Sequence, residues 1–209
     1  MLIQNDKLLI IGAGGHGKVI ADIAASLRRY NYIAFLDDNE KLTTALGYNI
    51  LGKTEGAFRY IDEYDFFVAI GDSSTRKKFI ENLISTGAHI TTLIHPSAII
   101  GSQVQIGIGT VIMAGVTINC STQIGIGCIL NTKCSVDHDC KIEDYVHLSP
   151  GAVLSGRVSV GCETWLCMSS AICNGVNICA DSIIGAGCVV IRDINEPGTY
   201  VGVPAKKIK

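Results

Sequence analysis

The chain lacks several things, and each absence narrows what it can be. Charge of one sign is not in excess: 17 basic residues face 19 acidic ones across 209 positions, for a net charge of -2. Nucleic-acid binding therefore has no electrostatic footprint here. No apolar stretch approaches the roughly 20 residues of a membrane span, although 48% of the residues are hydrophobic, as in a well-buried soluble chain. The first eleven residues hold a four-residue apolar run without signal-peptide anatomy, so a cytoplasmic location is the expectation. Cysteine is absent from the first 119 positions, and histidine is scarce, with five in all. The length leaves room for one large domain or two small ones.

What is present is a repeat. From Ile94, every sixth residue up to Val190 is Ile, Leu or Val, without a slip. Four residues after each of the first sixteen of these stands a small side chain, among them Ala98, Thr110, Cys128, Ala152 and Ser182. A fixed period of six is neither helical nor a plain alternation, and it marks a repeat architecture. The expected form is a parallel β-helix: short strands coil around a triangular prism, aliphatic side chains fill it, and small residues take the corners. Three hexads make a coil, so residues eighteen apart are stacked, and the run makes about five coils. Each buried aliphatic side chain is worth about 1.5–3 kcal/mol. A solenoid needs caps at its ends. The preceding residues can supply one, and the tail from Arg192 to Lys209 the other.

The nine cysteines all fall inside this repeat. Cys128, Cys134, Cys140 and Cys188 occupy small corner positions, where Cys acts as a compact hydrophobe. No two are eighteen apart. Packing is thus the expected role, ahead of disulfides or metal.

Residues 1–93 read as a separate α/β domain, and 94–209 as the β-helix with its closing segment. Leu8–Ile11 is a buried-strand run, followed by Gly12-Ala13-Gly14-Gly15-His16-Gly17 and an amphipathic helix from Lys18 to Arg29. Further strands are expected at Tyr32–Leu36, Phe66–Ile70 and Thr91–Ile94. Helical stretches are expected near 55–60 and from Ser73, as a cap, to about Ser85. Strands alternating with helices imply a parallel, Rossmann-like sheet. The glycine loop fits G-x-G-x-x-G between strand and helix, where free N–H groups can hold a pyrophosphate. The domain has half the size of a dinucleotide fold, which favours a nucleoside-diphosphate ligand. Within the repeat, Asn131, Asp137, His138, Asp139 and His147 crowd together in sequence. His138 follows a buried stop by two residues and so lies outside the prism, with Gly156 stacked above it. An imidazole beside a carboxylate suits proton abstraction near neutral pH.

With those residues in view, the chain resembles the NeuD/PglD-like sugar O- and N-acetyltransferases, left-handed β-helix acyltransferases, and among them most the UDP-4-amino-sugar N-acetyltransferases. The resemblance rests on Ile10–Val19, Phe35-Leu36-Asp37-Asp38, Ala69-Ile70-Gly71-Asp72 with Arg76, Ile94–Ala98, Asn131-Thr132, Asp137–Cys140, His147–Gly151 and Gly202–Lys206. It implies a homotrimer with active sites between subunits, acetyl-CoA in the groove between prisms, and a nucleotide-sugar on the N-terminal domain. His138 would be the general base, with Asp139 its partner, where the N-acetyltransferases carry the longer Glu, and Asn131 a further catalytic position. Gly12, Gly14, Gly15, His16, Gly17, Asp37, Asp38, Gly71 and Arg76 would face the nucleotide-sugar. His147, the backbone N–H groups of Gly156 and Ala186, and Lys206 would face acetyl-CoA. No metal is implied, and neither nucleic acid nor a membrane is a partner.

The expected reaction is direct attack of a sugar amine on the thioester, without an acyl-cysteine. O-acetylation of a sialic acid on the same scaffold is the alternative. A zinc carbonic anhydrase built on such a prism needs three His ligands, and the coils proper supply only His138 and His147. A non-catalytic nucleotide-sensing module leaves the clustered polar residues unexplained.

Overall fold

The computed structural model describes residues 5–209, and the chain divides into two compact units, one ending at Pro96 and one running from Ser97 to Lys209. The first unit is built on a parallel four-stranded sheet in the order β2-β1-β5-β6. Its strands are β1 (Lys7–Ile11), β2 (Tyr32–Leu36), β5 (Asp65–Val68) and β6 (His89–Ile90). Leu8 to Ile11 and Phe66 to Val68 are almost fully buried, as the unbroken apolar runs of a two-sided parallel sheet require. Between β2 and β5 lie a hairpin, β3 (Thr44–Ala45) and β4 (Tyr48–Asn49), and a 3₁₀ helix at Thr54–Tyr60. Leu46 and Gly47 both have positive φ, 49° and 79°, the geometry of a type I′ turn.

Three local expectations shift. Helix α1 spans Gly15–Ser26, three residues ahead of the apolar periodicity at both ends. It begins directly after Gly14 and is over before Arg28, whose φ of 52° is left-handed. Helix α2 spans Ser73–Ser85, but Asp72 caps it, accepting from Thr75 N at 2.8 Å, and Ser73 is inside. The edge strand of the sheet is His89–Ile90, and Thr91 N adds one further bond to Phe66 O at 2.9 Å.

Under the sheet, at the N-terminal end of β5, Asp65 is fully buried. Its carboxylate accepts from Arg29 Nη2 at 2.7 Å and Tyr30 Oη at 3.1 Å, and it meets His89 Nδ1 at 2.8 Å. Burial pushes the Tyr30 phenol up to about 12, so that hydroxyl remains a donor.

The second unit is the β-helix. Two-residue strands stack in parallel at an interval of eighteen: Val111–Ile112, Ile129–Leu130, His147–Leu148 and Trp165–Leu166 on a first face, Thr117–Ile118, Ser135–Val136 and Val153–Leu154 on a second, Gln123–Ile124 and Lys141–Ile142 on a third. The stack reaches about six coils, because Gly198–Val201 adds a strand parallel to Ser182–Ile184 and Lys206–Lys207 folds back antiparallel upon it. From Ile112 onward every sixth-residue aliphatic is buried, whereas Ile100 in the first coil is 37% exposed.

The corners carry a regularity that apolar periodicity does not reveal. Every sixth residue from Gln103 to Gly187 has φ between 56° and 71°. Six of these fifteen are glycine, and the other nine accept the left-handed geometry that glycine takes freely. Corner hydroxyls stitch the coils together. Thr110 Oγ1 donates to Gly125 O at 2.8 Å and accepts from Cys128 N at 2.9 Å, and Thr122 repeats the pattern with Asp137 O and Cys140 N. Cys128 and Cys140 donate their thiols to carbonyls fifteen residues on, at 3.1 and 3.2 Å, where threonine would place its hydroxyl. These cysteines act as weak donors as well as packing groups. All nine cysteines are free thiols.

Candidate active site

In a parallel sheet, ligands gather beyond the carboxyl ends of the strands where the order reverses, here between β1 and β5. The loops after those strands meet: a side-chain carbon on Gly12 would lie 3.0 Å from Ala69 O. Gly12 needs its φ of 100°. Gly17 is there for packing, since a Cβ would run into Gly12 O. Gly14 and Gly15 face open space. The two helix starts at this crevice differ. Asp72 already occupies the N-terminus of α2, whereas Gly14 offers α1 no side-chain cap, leaving its first N–H groups for an anion.

His16 stands at that start. Its Nε2 is buried without a partner among the described residues. Burial, reinforced by the Arg76 charge, holds its pKa down to about 4, so it is a neutral imidazole at physiological pH. Arg76 is only 1% exposed, and its Nη1 donates to Ile70 O at 3.0 Å and Gly71 O at 2.8 Å. It shapes the Gly71 loop from within instead of presenting its charge at the surface. Asp37 takes Ala13 N at 2.7 Å and Asn39 N at 2.8 Å, tying the glycine loop to the end of β2. Asp38 accepts from Thr54 N and Thr54 Oγ1, both at 2.9 Å, and so caps the 3₁₀ helix. Both acids hold loops. Beyond them, a cavity of about 220 Å³ opens between Leu51–Lys53, Glu55, Arg59 and Tyr60. No motif in the sequence singles that cavity out, because its lining comes from a short irregular helix.

In the β-helix, His138 and Asp139 sit on the turn between the second and third faces. Asp139 occupies the left-handed position, φ 58°, and this brings its Oδ2 to 2.7 Å from His138 Nδ1. The short carboxylate reaches because the backbone turns it back. With Nδ1–H donated to Asp139, Nε2 is left as the basic nitrogen. The imidazole lies on Gly156: a Cβ there would come within 2.7 Å of both Cε1 and Nε2. The glycine makes room for the His138 ring, and its own N–H has no protein acceptor among the described residues.

Asn131 and His147 are elsewhere on the prism. Both belong to the first face, with Asn131 Nδ2 3.5 Å from His147 Nε2. His147 stacks on Trp165, ring centroids 5.8 Å apart and planes 9° from parallel, and Trp165 Nε1 donates to Ser149 Oγ at 2.8 Å. Trp165 is eighteen residues beyond His147, so the stack was available from the repeat. Ala186 follows a first-face strand and lies at the corner that Asn131 begins, away from Gly156. Lys206 lines a cavity of about 380 Å³ with Val190, Tyr200 and Pro204. Among the described residues, no three His, Cys, Asp or Glu side chains gather as a metal would need.

Residues 7–83 match the model of the PglD N-terminal domain. The chain is 30% identical over 213 residues to a GDP-perosamine N-acetyltransferase of Escherichia coli O157:H7, an alignment covering 96% of this chain and 95% of that one. The chain belongs to the NeuD/PglD-like family. A second relative, a UDP-N-acetylbacillosamine N-acetyltransferase of Bacillus subtilis (strain 168), is 41% identical over 111 residues. There the chain spans about half of the relative's length, 51%, and 52% of its own. Among solved structures of this family, the acetyltransferase domain of PglB from Neisseria gonorrhoeae FA1090, in complex with acetyl coenzyme A, superposes with a TM-score of 0.94. It is 36% identical, and the match covers 98% of this chain and 100% of that domain.

Proposed function

We propose that this family member transfers the acetyl group of acetyl-CoA to the amine of a nucleotide-linked amino sugar. One observation carries the reading most directly: an imidazole held through Nδ1 by Asp139, with Nε2 over a side-chain-free glycine. Relatives named for N-acetylation of UDP- and GDP-sugars, and a structural neighbour solved with acetyl coenzyme A, agree with it.

The steps follow from the groups present. His138 Nε2 removes a proton as the amine attacks the thioester carbonyl. The N–H of Gly156 is available to the carbonyl oxygen as negative charge develops there. The tetrahedral intermediate collapses with loss of the CoA thiolate, and the proton on His138 is available to it. No cysteine is needed, and burial raises the thiol pKa of Cys134 to about 12, while those of Cys140, Cys167 and Cys188 also rise with burial.

Asn131 and Ala186 lie along one edge of the prism, and His138, Asp139 and Gly156 along another. A site using both sets needs a second chain, which supports a homotrimer with shared sites. At the sugar-nucleotide end, the open N-terminus of α1 suits a diphosphate, and the neutral His16 stands beside it without adding charge. The preferred nucleotide in this reading is UDP.

The test is thiol release from acetyl-CoA with a panel of UDP-, GDP- and dTDP-linked amino sugars and free sialic acids, beside calorimetry with UDP, GDP and NAD. Turnover with a UDP-amino sugar and NAD binding at least about tenfold weaker than UDP support the proposal. Turnover on sialic acid alone would replace the acceptor. Preference for GDP would change the nucleotide and keep the reaction.

A further inference from the structure

Side chains hold the backbone N–H of some corners of this prism, as Asn131 Oδ1 holds Thr132 N and Asp144 Oδ1 holds Ile126 N, both at 2.8 Å, and the turn that carries His138 is one of them. At the Gly156 corner one coil on, the backbone N–H at the matching position has no acceptor among the described residues. At His138, that N–H donates to Asp137 Oδ1 at 2.8 Å. The same oxygen accepts from Asn119 Nδ2 at 2.7 Å, from the residue stacked one coil earlier. Asp137 is fixed through its backbone as well: its N–H donates to Leu154 O at 3.0 Å, and its carbonyl accepts from Thr122 Oγ1 at 2.8 Å. Beyond the histidine, Asp139 N donates to Cys120 O at 3.1 Å, and His138 O accepts from Arg157 N at 2.9 Å. Both peptide planes around His138 are therefore set, one by the coil backbone and one by a side chain recruited for it.

We infer that Asp137, anchored by Asn119, is a positioning residue for His138: it fixes the turn from which the imidazole reaches Asp139 on one side and lies over Gly156 on the other. The inference rests on His138 being the base. Asp137 itself bonds the backbone of His138 and not its ring, so it acts on the reaction only through where the ring is held. The carboxylate is suited to this because one oxygen can accept from two donors at once. The Asn119 amide and the His138 N–H together hold the Asp137 carboxyl below the usual carboxylate range, so the acceptor remains charged while the enzyme works. Misplacing a catalytic group by about 1 Å can cost about a hundredfold in rate.

The experiment compares Asp137→Ala, Asp137→Asn and Asn119→Ala, each in the wild type and in a His138→Ala background. Asp137→Ala should lower kcat by about 10–100-fold with the acetyl-CoA KM nearly unchanged. Asn119→Ala should lower it less. Asp137→Asn keeps an Oδ1 acceptor and should recover most of the loss. In the His138→Ala background, none of the three should reduce the residual rate further, because residues acting through one group are not additive. An Asp137→Ala enzyme within about twofold of wild type overturns the inference. So does an equal loss in both backgrounds, which would show a role in the fold alone. Nitrogen NMR of the His138 ring separates this inference from the reading beneath it. If His138→Ala left turnover intact, the base assignment would fall, yet a changed Nδ1 signal in Asp137→Ala would still establish the positioning. An unchanged signal would remove it.

Discussion

At His138, two contacts decide what the ring can do: a carboxylate at 2.7 Å from Nδ1, and a glycine beneath the opposite edge. A general base contributes about 10²–10⁴-fold to turnover. His138→Ala should lose that much kcat/KM and keep the wild-type circular dichroism, since the side chain lies outside the prism. A loss under about fivefold would take His138 out of the reaction. His16 makes a different residue-scale prediction. In the unfolded chain its imidazole takes up a proton near 6.5, whereas in the fold it does so only near 4. The unfolded state therefore binds more protons between these values, and the stability that neutral His16 allows is complete above about 6.5 and falls as pH drops toward 4. His16→Gln should flatten the fall of the urea midpoint with acid in that window. Parallel midpoint curves for the two proteins would show that His16 is not desolvated as described.

At the scale of elements, the glycine loop joins a packing demand to a binding one. Gly17 lets α1 approach the end of β1, while Gly14 and Gly15 remain in open space. Gly17→Ala should destabilise the N-terminal unit by about 1–3 kcal/mol through overpacking, seen as an earlier urea transition. Gly15→Ala, with nothing within 4 Å of the new carbon, should leave that transition in place. Equal stability of Gly17→Ala and wild type would contradict the close approach. The main strands and helices of this unit were legible because buried apolar runs and glycines are local signals, whereas the β3–β4 hairpin and the Asp72 cap were not read from the sequence. Boundaries were less legible. The edge strand fell two residues earlier than its apolar residues suggest, because Asp65 draws His89 into the sheet margin by a contact between residues 24 apart.

For the whole molecule, the two polar groups of the prism set the expectation for assembly. Asn131 and His147 share the first face, while His138 is at the turn between the second and third. Sedimentation at micromolar concentration should give three subunits, with or without reductant. A mixture of His138→Ala and Asn131→Ala proteins, refolded together, should recover activity that neither has alone. A fully active monomer would mean that one chain completes the site, against the geometry described.

Counting along the chain is enough to find the β-helix, its register and its separation from an α/β unit, because a prism with one interior position per six residues writes its period directly into the chain. It also determined that His138 is outside and that Gly156 is stacked above it, since both follow from counting by six and eighteen. What those residues touch follows only from the folded arrangement of the coils. Neighbours in sequence such as Asn131 and His138 part to different edges of the prism, because each hexad turns the chain by a third of a circuit. Asp37, Asp38 and Arg76, all polar and near a glycine loop, are drawn onto backbone groups of neighbouring loops. Whether a carboxylate serves a ligand or a loop depends on which donors the fold brings within about 3 Å of it, and no local pattern records that.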